Sequence, residues 1–187
     1  MPKTKIPKEI IIKAAFEIAK EHGIDAVTAK SISKKLECSI QPVYWVFENM
    51  DNVRNAVLEE AKKKYTDFMS FTDIPGATPL QCVGVNFVKF AREYPHLFKF
   101  IFASDRQENV AIANSSLDDN KPMIIDGLKK EFDLDDKQAE DYYIKLGILC
   151  HGMAAMIMGK VARYDDADIL RIVIEVSEDL LKRYKSK

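Results

Sequence analysis

Glycine and proline are scarce in this chain, seven of each in 187 residues, which removes most of the punctuation that short strands and tight hairpins require. Cysteine is scarcer, with Cys38, Cys82 and Cys150 alone. They form no CxxC pair and have no histidine at metal-ligand spacing, so a disulfide framework and a zinc site are excluded and a reducing compartment fits. The three are read as small buried apolar residues, the usual state of a free thiol. No stretch approaches the roughly 18 apolar residues of a membrane span, and the start Met1 to Lys5 leads into no apolar signal segment, so no membrane association and a cytoplasmic location are expected. A Gly-rich phosphate loop, a Ser-His-Asp set and a paired-carboxylate site are missing too, so neither an enzyme nor a cofactor is expected. The adjacent acids Asp135 and Asp136, like Asp165 and Asp166, are better read as helix N-termini.

What the chain does have is apolar residues at helical spacing. Hydrophobic residues make up 47% of it and charged residues 30%, an ordinary balance for a globular protein. The net charge is only -1, but residues 1 to 47 hold eight lysines against five carboxylates. The basic excess is N-terminal.

A first helix is predicted from Pro7 to His22, with Ile11, Ile12, Ala15, Phe16 and Ala19 as its apolar positions and Gly23 as its cap. Thr28 is placed to cap a second helix over Ala29 to Leu36, leaving Lys30, Lys34 and Lys35 outside. After a turn at Glu37 and Cys38, Ser39 is expected to cap a third helix ending near Val46, with Pro42 tolerated in its first turn. Three helices, the last two joined by a tight turn, outline a helix-turn-helix module.

Asp51 opens a fourth helix through Phe68, and the stretch from Thr72 to Thr78, with Pro75 and Gly76, separates it from a helix over Pro79 to Glu93. Pro95 then precedes an aromatic run, Leu97 to Phe102, that is apolar all round and so expected to be buried. Residues 105 to 121 are polar and read as a loop or frayed helix, with Pro122 starting a short helix that ends near Phe132. Two long helices, 136–160 and 166–185, finish the chain with wide apolar stripes. The predicted fold is all-α with about nine helices, a helix-turn-helix DNA-binding domain over 1–50 and a larger helical domain over 51–187, the fourth helix linking them.

The stretch from Ala14 to Gly23, then Val27 to Ile32, then Val43-Tyr44-Trp45-Val46-Phe47 resembles the N-terminal signature of the TetR/AcrR family, over roughly residues 10 to 58. Its most specific part is the Tyr44 and Phe47 pair followed at once by an Asx-initiated helix. Two positions depart from the pattern. The turn position usually held by Gly is Glu37, and the position usually held by Lys at the start of the fourth helix is Met50, so that turn geometry and that phosphate contact do not carry over. Tyr94-Pro95-His96-Leu97-Phe98 and Cys150-His151-Gly152-Met153-Ala154 resemble patterns in one branch of the family's C-terminal domains.

The resemblance implies a transcriptional regulator that binds a palindromic operator in double-stranded DNA as a homodimer, through the helices at 136–160 and 166–185. It implies repression, relieved by an unknown small apolar or amphipathic effector. The alternative is a constitutive or nucleoid-associated DNA-binding protein without a ligand, which a solid core in place of a cavity would favour. In the recognition segment Ser39, Ile40, Gln41, Pro42, Tyr44 and Trp45 face the DNA. Gln41 can bond adenine in two places and Ile40 or Pro42 can touch a thymine methyl, so an A·T-containing half-site is expected. Phosphate contacts fall to Lys3, Lys5, Thr28, Lys30, Lys34 and Tyr44. A solvated surface explains each lysine individually, and burial between helices would equally explain Tyr44 and Trp45. Phe47 is assigned to the core.

Phe68, Phe87, Phe90, Phe98, Met123, Tyr143, Cys150 and Met153 could line an apolar pocket, although ordinary core packing accounts for each. His151 is read first as satisfying a buried carbonyl. Gly147, Ala154 and Ala155 would permit close helix approach in a dimer.

Overall fold

The structure, a computed structural model, describes residues 6–102 and 116–185. Among the described residues the regular elements are nine α-helices and one 3-10 turn (Ile24–Ala26): α1 (Lys8–His22), α2 (Ala29–Lys35), α3 (Gln41–Val46), α4 (Met50–Met69), α5 (Pro79–Glu93), α6 (Pro95–Phe102), α7 (Ser116–Phe132), α8 (Asp136–Met158) and α9 (Asp166–Lys185). The all-α expectation holds. The polar stretch expected to be a loop or frayed helix lies mostly outside the described residues. Its later part belongs to α7, which begins at Ser116 and passes through Pro122 rather than starting there. The proline deprives the helix of one N–H donor without ending it.

The chain divides into two compact units. The first takes α1, α2, α3, α4 as far as Tyr65, and, from Tyr94, α6. Helix α1 buries Ile11, Ala14, Ala15, Ile18 and Ala19, a stripe at i, i+3, i+4, i+7 and i+8. Ile12 and Phe16, expected on that stripe, are only half-buried, because the inward face is rotated toward the small alanines. Gly23 closes the helix at φ 85°, its N–H bonded to the Ala19 carbonyl at 2.9 Å. A left-handed residue is needed there, and glycine adopts it without strain.

Helix α2 ends in the same way without a glycine. The Cys38 N–H bonds to the Ser33 carbonyl at 3.0 Å and the Glu37 N–H to the Lys34 carbonyl at 3.3 Å, the paired bonds of a Schellman cap. The residue at the left-handed position is Glu37, φ 52°. The tight turn therefore survives the loss of glycine, at a backbone cost of about 1–2 kcal/mol for the L residue held there. Glu37→Gly is expected to raise stability by up to about 1 kcal/mol, the relief of that strain less the extra entropy of the unfolded glycine. A urea midpoint that stays put or falls would contradict this.

Helix α4 is capped by Asn49, whose Oδ1 accepts from the Asn52 N–H at 2.9 Å, so the helix begins at Met50, one residue before the predicted start. It buries Val53, Val57, Ala61 and Tyr65. The aromatic run of α6 completes this core: Leu97 is fully buried, Phe98 and Phe100 nearly so, and Phe102 meets the Tyr65 ring edge-on at 5.2 Å.

In the second unit α5 packs on both α8 and α9. Thr78 and Gln81 open α5 with a reciprocal cap, the Thr78 N–H reaching Gln81 Oε1 at 2.9 Å and the Gln81 N–H reaching Thr78 Oγ1 at 3.3 Å. Gly84 lets α5 come close to both partners, since a Cβ there would lie 3.3 Å from Cys150 Sγ and 3.3 Å from Val173 Cγ1. Asp135 and Gln138 cap α8 reciprocally, and Asp165 Oδ1 accepts from the Asp168 N–H at 2.8 Å, so these acids are helix starts as expected. Asp166 pairs with Arg92 and, at 2.6 Å, with Lys89, and the two cations hold its carboxyl below the usual range.

Three buried polar groups of this unit satisfy one another. Gln81 Nε2 donates to Ser177 Oγ at 3.0 Å, and the Tyr142 hydroxyl lies 2.6 Å from the same oxygen. Ser177→Ala removes the shared partner of both groups and is expected to cost about 1–3 kcal/mol, the penalty of buried polar atoms without their bonds. The check is a lowered urea midpoint with an unchanged slope.

Candidate nucleic-acid interface and ligand cavity

The capping bonds of α2 decide what Thr28 can do. Thr28 Oγ1 accepts from the Ser31 N–H at 3.0 Å, and Ser31 Oγ accepts from the Thr28 N–H at 3.0 Å while donating to the Ala26 carbonyl at 2.7 Å. The hydroxyl of Thr28 is thus engaged in building the helix start, although the residue is exposed. Lys30 and Lys34 are exposed on the same short helix, whose buried side is Ala29, Ile32 and Ser33. Lys3 and Lys5 lie outside the described residues.

Helix α3 presents the recognition segment on the surface. Ile40, Tyr44 and Trp45 are 48%, 49% and 50% exposed, unusual for residues of this size, and Gln41 and Ser39 are exposed with them. None of these side chains carries a charge, so the face suits base edges and thymine methyls more than phosphates. Two expectations shift. Ser39 does not cap the helix, which starts at Gln41 with Ile40 at its N-cap and no side-chain bond. Pro42 is buried together with Val43, because its ring faces the module's interior from the first turn, so of the two residues considered for a thymine methyl only Ile40 is exposed. Phe47 is buried as expected, with Lys8 Nζ 5.5 Å from its ring centre. Met50 is half-buried at the start of α4.

The second unit contains a cavity of about 520 Å3 bounded by α5, α7 and α8. Of the residues considered for a pocket, Phe87, Tyr143 and Cys150 line it. The others stand elsewhere: Phe68 and Phe90 pair edge-on at 5.5 Å, Met153 is buried, Met123 is 69% exposed, and Phe98 belongs to the first unit against Phe102. Much of the remaining lining comes from aliphatics, among them Leu80 and Val83 on α5, Ile124 and Leu128 on α7, and Leu146 on α8. A reading weighted toward aromatics and methionine passes over these, and the i, i+3, i+7 spacing of Leu80, Val83 and Phe87 marks them only as one apolar helix face.

The polar groups of the wall are mostly satisfied internally. Tyr142 is tied to Ser177, and burial pushes its phenol up to about 12. Burial likewise pushes the Cys150 thiol up to about 12, which makes it a neutral apolar wall group and not a nucleophile. His151 Nδ1 lies 3.0 Å from the Gly147 carbonyl, so that nitrogen carries the proton, and its ring lies 4.5 Å from that of Phe87. The expected carbonyl partner of His151 is therefore present, and the residue also lines the cavity. Lys121 reaches the cavity but pairs with Glu140 at 2.9 Å.

A short exposed helix beyond a tight turn, joined to a longer helical unit, defines a helix-turn-helix protein. Residues 11–57 match the family described as bacterial regulatory proteins, tetR family. The chain is 35% identical over 60 residues to an HTH-type transcriptional repressor of Mycobacterium tuberculosis (strain H37Rv) and, equally, to an uncharacterized HTH-type transcriptional regulator of Mycobacterium bovis, a match covering 32% of this chain and 23% of each relative. The chain thus spans about a quarter of the length of these curated relatives. Its fold is similar over 95% of this chain and 97% of the other to the crystal structure of a TetR-like transcriptional regulator from Rhodococcus sp. RHA1, with a TM-score of 0.63 at 14% identity. The N-terminal module thus matches the tetR family over residues 11–57, and the chain as a whole shares the fold of a TetR-like regulator. No helix among the described residues is long and apolar enough to cross a membrane.

Proposed function

We propose that this chain is a transcriptional repressor that binds a palindromic operator as a homodimer and is released from it by a small molecule held in the second unit. The observation that carries the DNA reading is the outward face of α3, where Gln41, Ile40, Tyr44 and Trp45 stand exposed beside the lysines of α2. An exposed cluster of two large aromatics and an isoleucine is costly on a free surface and is explained by a partner that covers it. Gln41 reads adenine, Ile40 meets a thymine methyl, and Lys30, Lys34 and the N-terminal Lys3 and Lys5 hold phosphates.

One such module covers too little DNA for operator specificity, so two copies reading half-sites about one helical turn apart are needed. The dimer surface is assigned to α8 and α9. Met156 on α8 is 40% exposed and a Cβ at Gly152 would meet nothing within 4 Å, while Ile144 and Ile148, 48% and 67% exposed, also border the cavity. A cavity of about 520 Å3 supports ligand response over a constitutive DNA-binding protein, whose helices would have no reason to stand apart.

Selection of bound sequences from random duplex DNA is the test. An enriched inverted repeat with A·T pairs in each half is the expected result. No enrichment would overturn operator binding, and an enriched single half-site would overturn the dimer.

A further inference from the structure

The cavity of the second unit identifies the kind of molecule it accepts. We propose that it binds an uncharged, predominantly apolar aromatic compound and discriminates against an anion of the same shape. This rests on the reading of the cavity as a ligand site and adds the chemistry of what enters it.

The charge selectivity follows from the wall. Among the described residues no carboxylate lines the cavity, and the lysine that does, Lys121, already bonds the Glu140 carboxylate at 2.9 Å and sits 5.9 Å above the Tyr143 ring. An incoming anion would have to draw Lys121 from Glu140 and would then face that carboxylate. Tyr142 and Cys150 are held neutral by burial, so neither offers a charge to a ligand of either sign. A charged group entering such a site gives up part of its hydration and meets only a cation that is already paired, which disfavours it relative to a neutral molecule of the same shape.

The preference for an aromatic body follows from the rings. Phe87 and His151 lie together at 4.5 Å on one part of the wall, and Tyr142 and Tyr143 supply two more aromatic side chains. Offset and edge-to-face contacts with such rings favour a flat aromatic partner beyond simple area burial. Leu80, Val83, Ile124 and Leu128 supply the remaining apolar surface. The volume falls in the range of about 300–1,000 Å3 typical of sites for small organic ligands.

The test uses two fluorescent probes with one skeleton, neutral N-phenyl-1-naphthylamine and its sulfonated anion 1-anilinonaphthalene-8-sulfonate, titrated against the full chain without DNA. The neutral probe is expected to bind with at least tenfold greater affinity. Ile124→Trp, which fills the cavity from α7, is expected to abolish its binding while circular dichroism stays helical. Val83→Trp, which fills the cavity from α5, serves as a second filling variant if the first fails to fold. Equal or tighter binding of the sulfonate, binding that survives both filled cavities, or no binding of the neutral probe would each overturn the proposal. Adding the neutral probe to the complex with a selected operator separates the two readings. Binding without release from DNA would leave the ligand class standing and remove the effector role.

Discussion

Gln41→Ala is expected to weaken binding to a selected operator by roughly 30-fold to 20,000-fold, since each two-point contact with adenine is worth about 1–3 kcal/mol and the proposed homodimer carries two of them. The variant should fold normally. Gln41 is the first residue of α3, it is exposed, and the helix relies on Pro42 and Val43 for its anchoring. Affinity for random duplex should change little, and the salt dependence of binding should be preserved, because both come from phosphate contacts that Gln41 does not make. Lys34→Ala is the contrasting variant. It should weaken specific and non-specific binding alike and lower the salt slope by about one per half-site. Mobility-shift titrations at two or more salt concentrations distinguish these patterns. Unchanged affinity of Gln41→Ala, or a selected site with an invariant guanine under that residue, would remove Gln41 from its role.

The second large effect is on stability. Phe90→Ala is expected to destabilise the protein by about 3–5 kcal/mol, the sum of lost apolar burial and the void left behind. Phe90 is fully buried on α5 and meets the Phe68 ring edge-on at 5.5 Å. Such a loss is a large fraction of the roughly 5–15 kcal/mol by which domains of this size are stable. Phe87 makes the comparison informative. It is equally large and nearly as buried, yet it borders a cavity and so has fewer neighbours on one side. Phe87→Ala should therefore cost distinctly less than Phe90→Ala in a urea titration and should alter probe binding, which Phe90→Ala should change only through folding. Equal costs would argue that the cavity is filled by side-chain rearrangement.

Much of the first unit was legible because its signals are local. The apolar spacing of α1, the cap at Thr28 and the proline in the first turn of α3 each act within four or five residues, and each placed its helix to within a residue or two. The acids at 135 and 165 were legible as helix starts for the same reason. The end of α2 was less so. Glu37 gives no sign that it adopts φ 52°, since only the two backbone bonds closing the turn force it there. Asp133 and Lys160 hold the same conformation at the ends of α7 and α8, again without glycine.

The aromatic run of α6 was recognisable as buried, but its partners were not. Phe98, considered for the pocket, packs with Phe102 in the first unit, because Pro95 starts a new helix that joins α1 and α4 rather than α5. Phe68 and Phe90 were equally attractive as pocket residues and instead fill each other's space. Hydrophobicity announces that a residue will be buried and says nothing of whether its neighbour is a side chain or a void.

The sequence by itself determined the all-helical class, the order of the helices and the uncharged face of α3, since periodicity, caps and residue chemistry are properties of short segments. The tertiary structure decided what depends on long-range contact. It gave α6 to the first unit, turned Pro42 inward, left Glu37 in a left-handed turn, and tied Gln81, Tyr142 and Ser177 into one buried network across three helices. It also opened a cavity beside Phe87 while closing the core around Phe90, two phenylalanines three residues apart on one helix. That difference is set by which helices face each side of α5, and no local pattern encodes it.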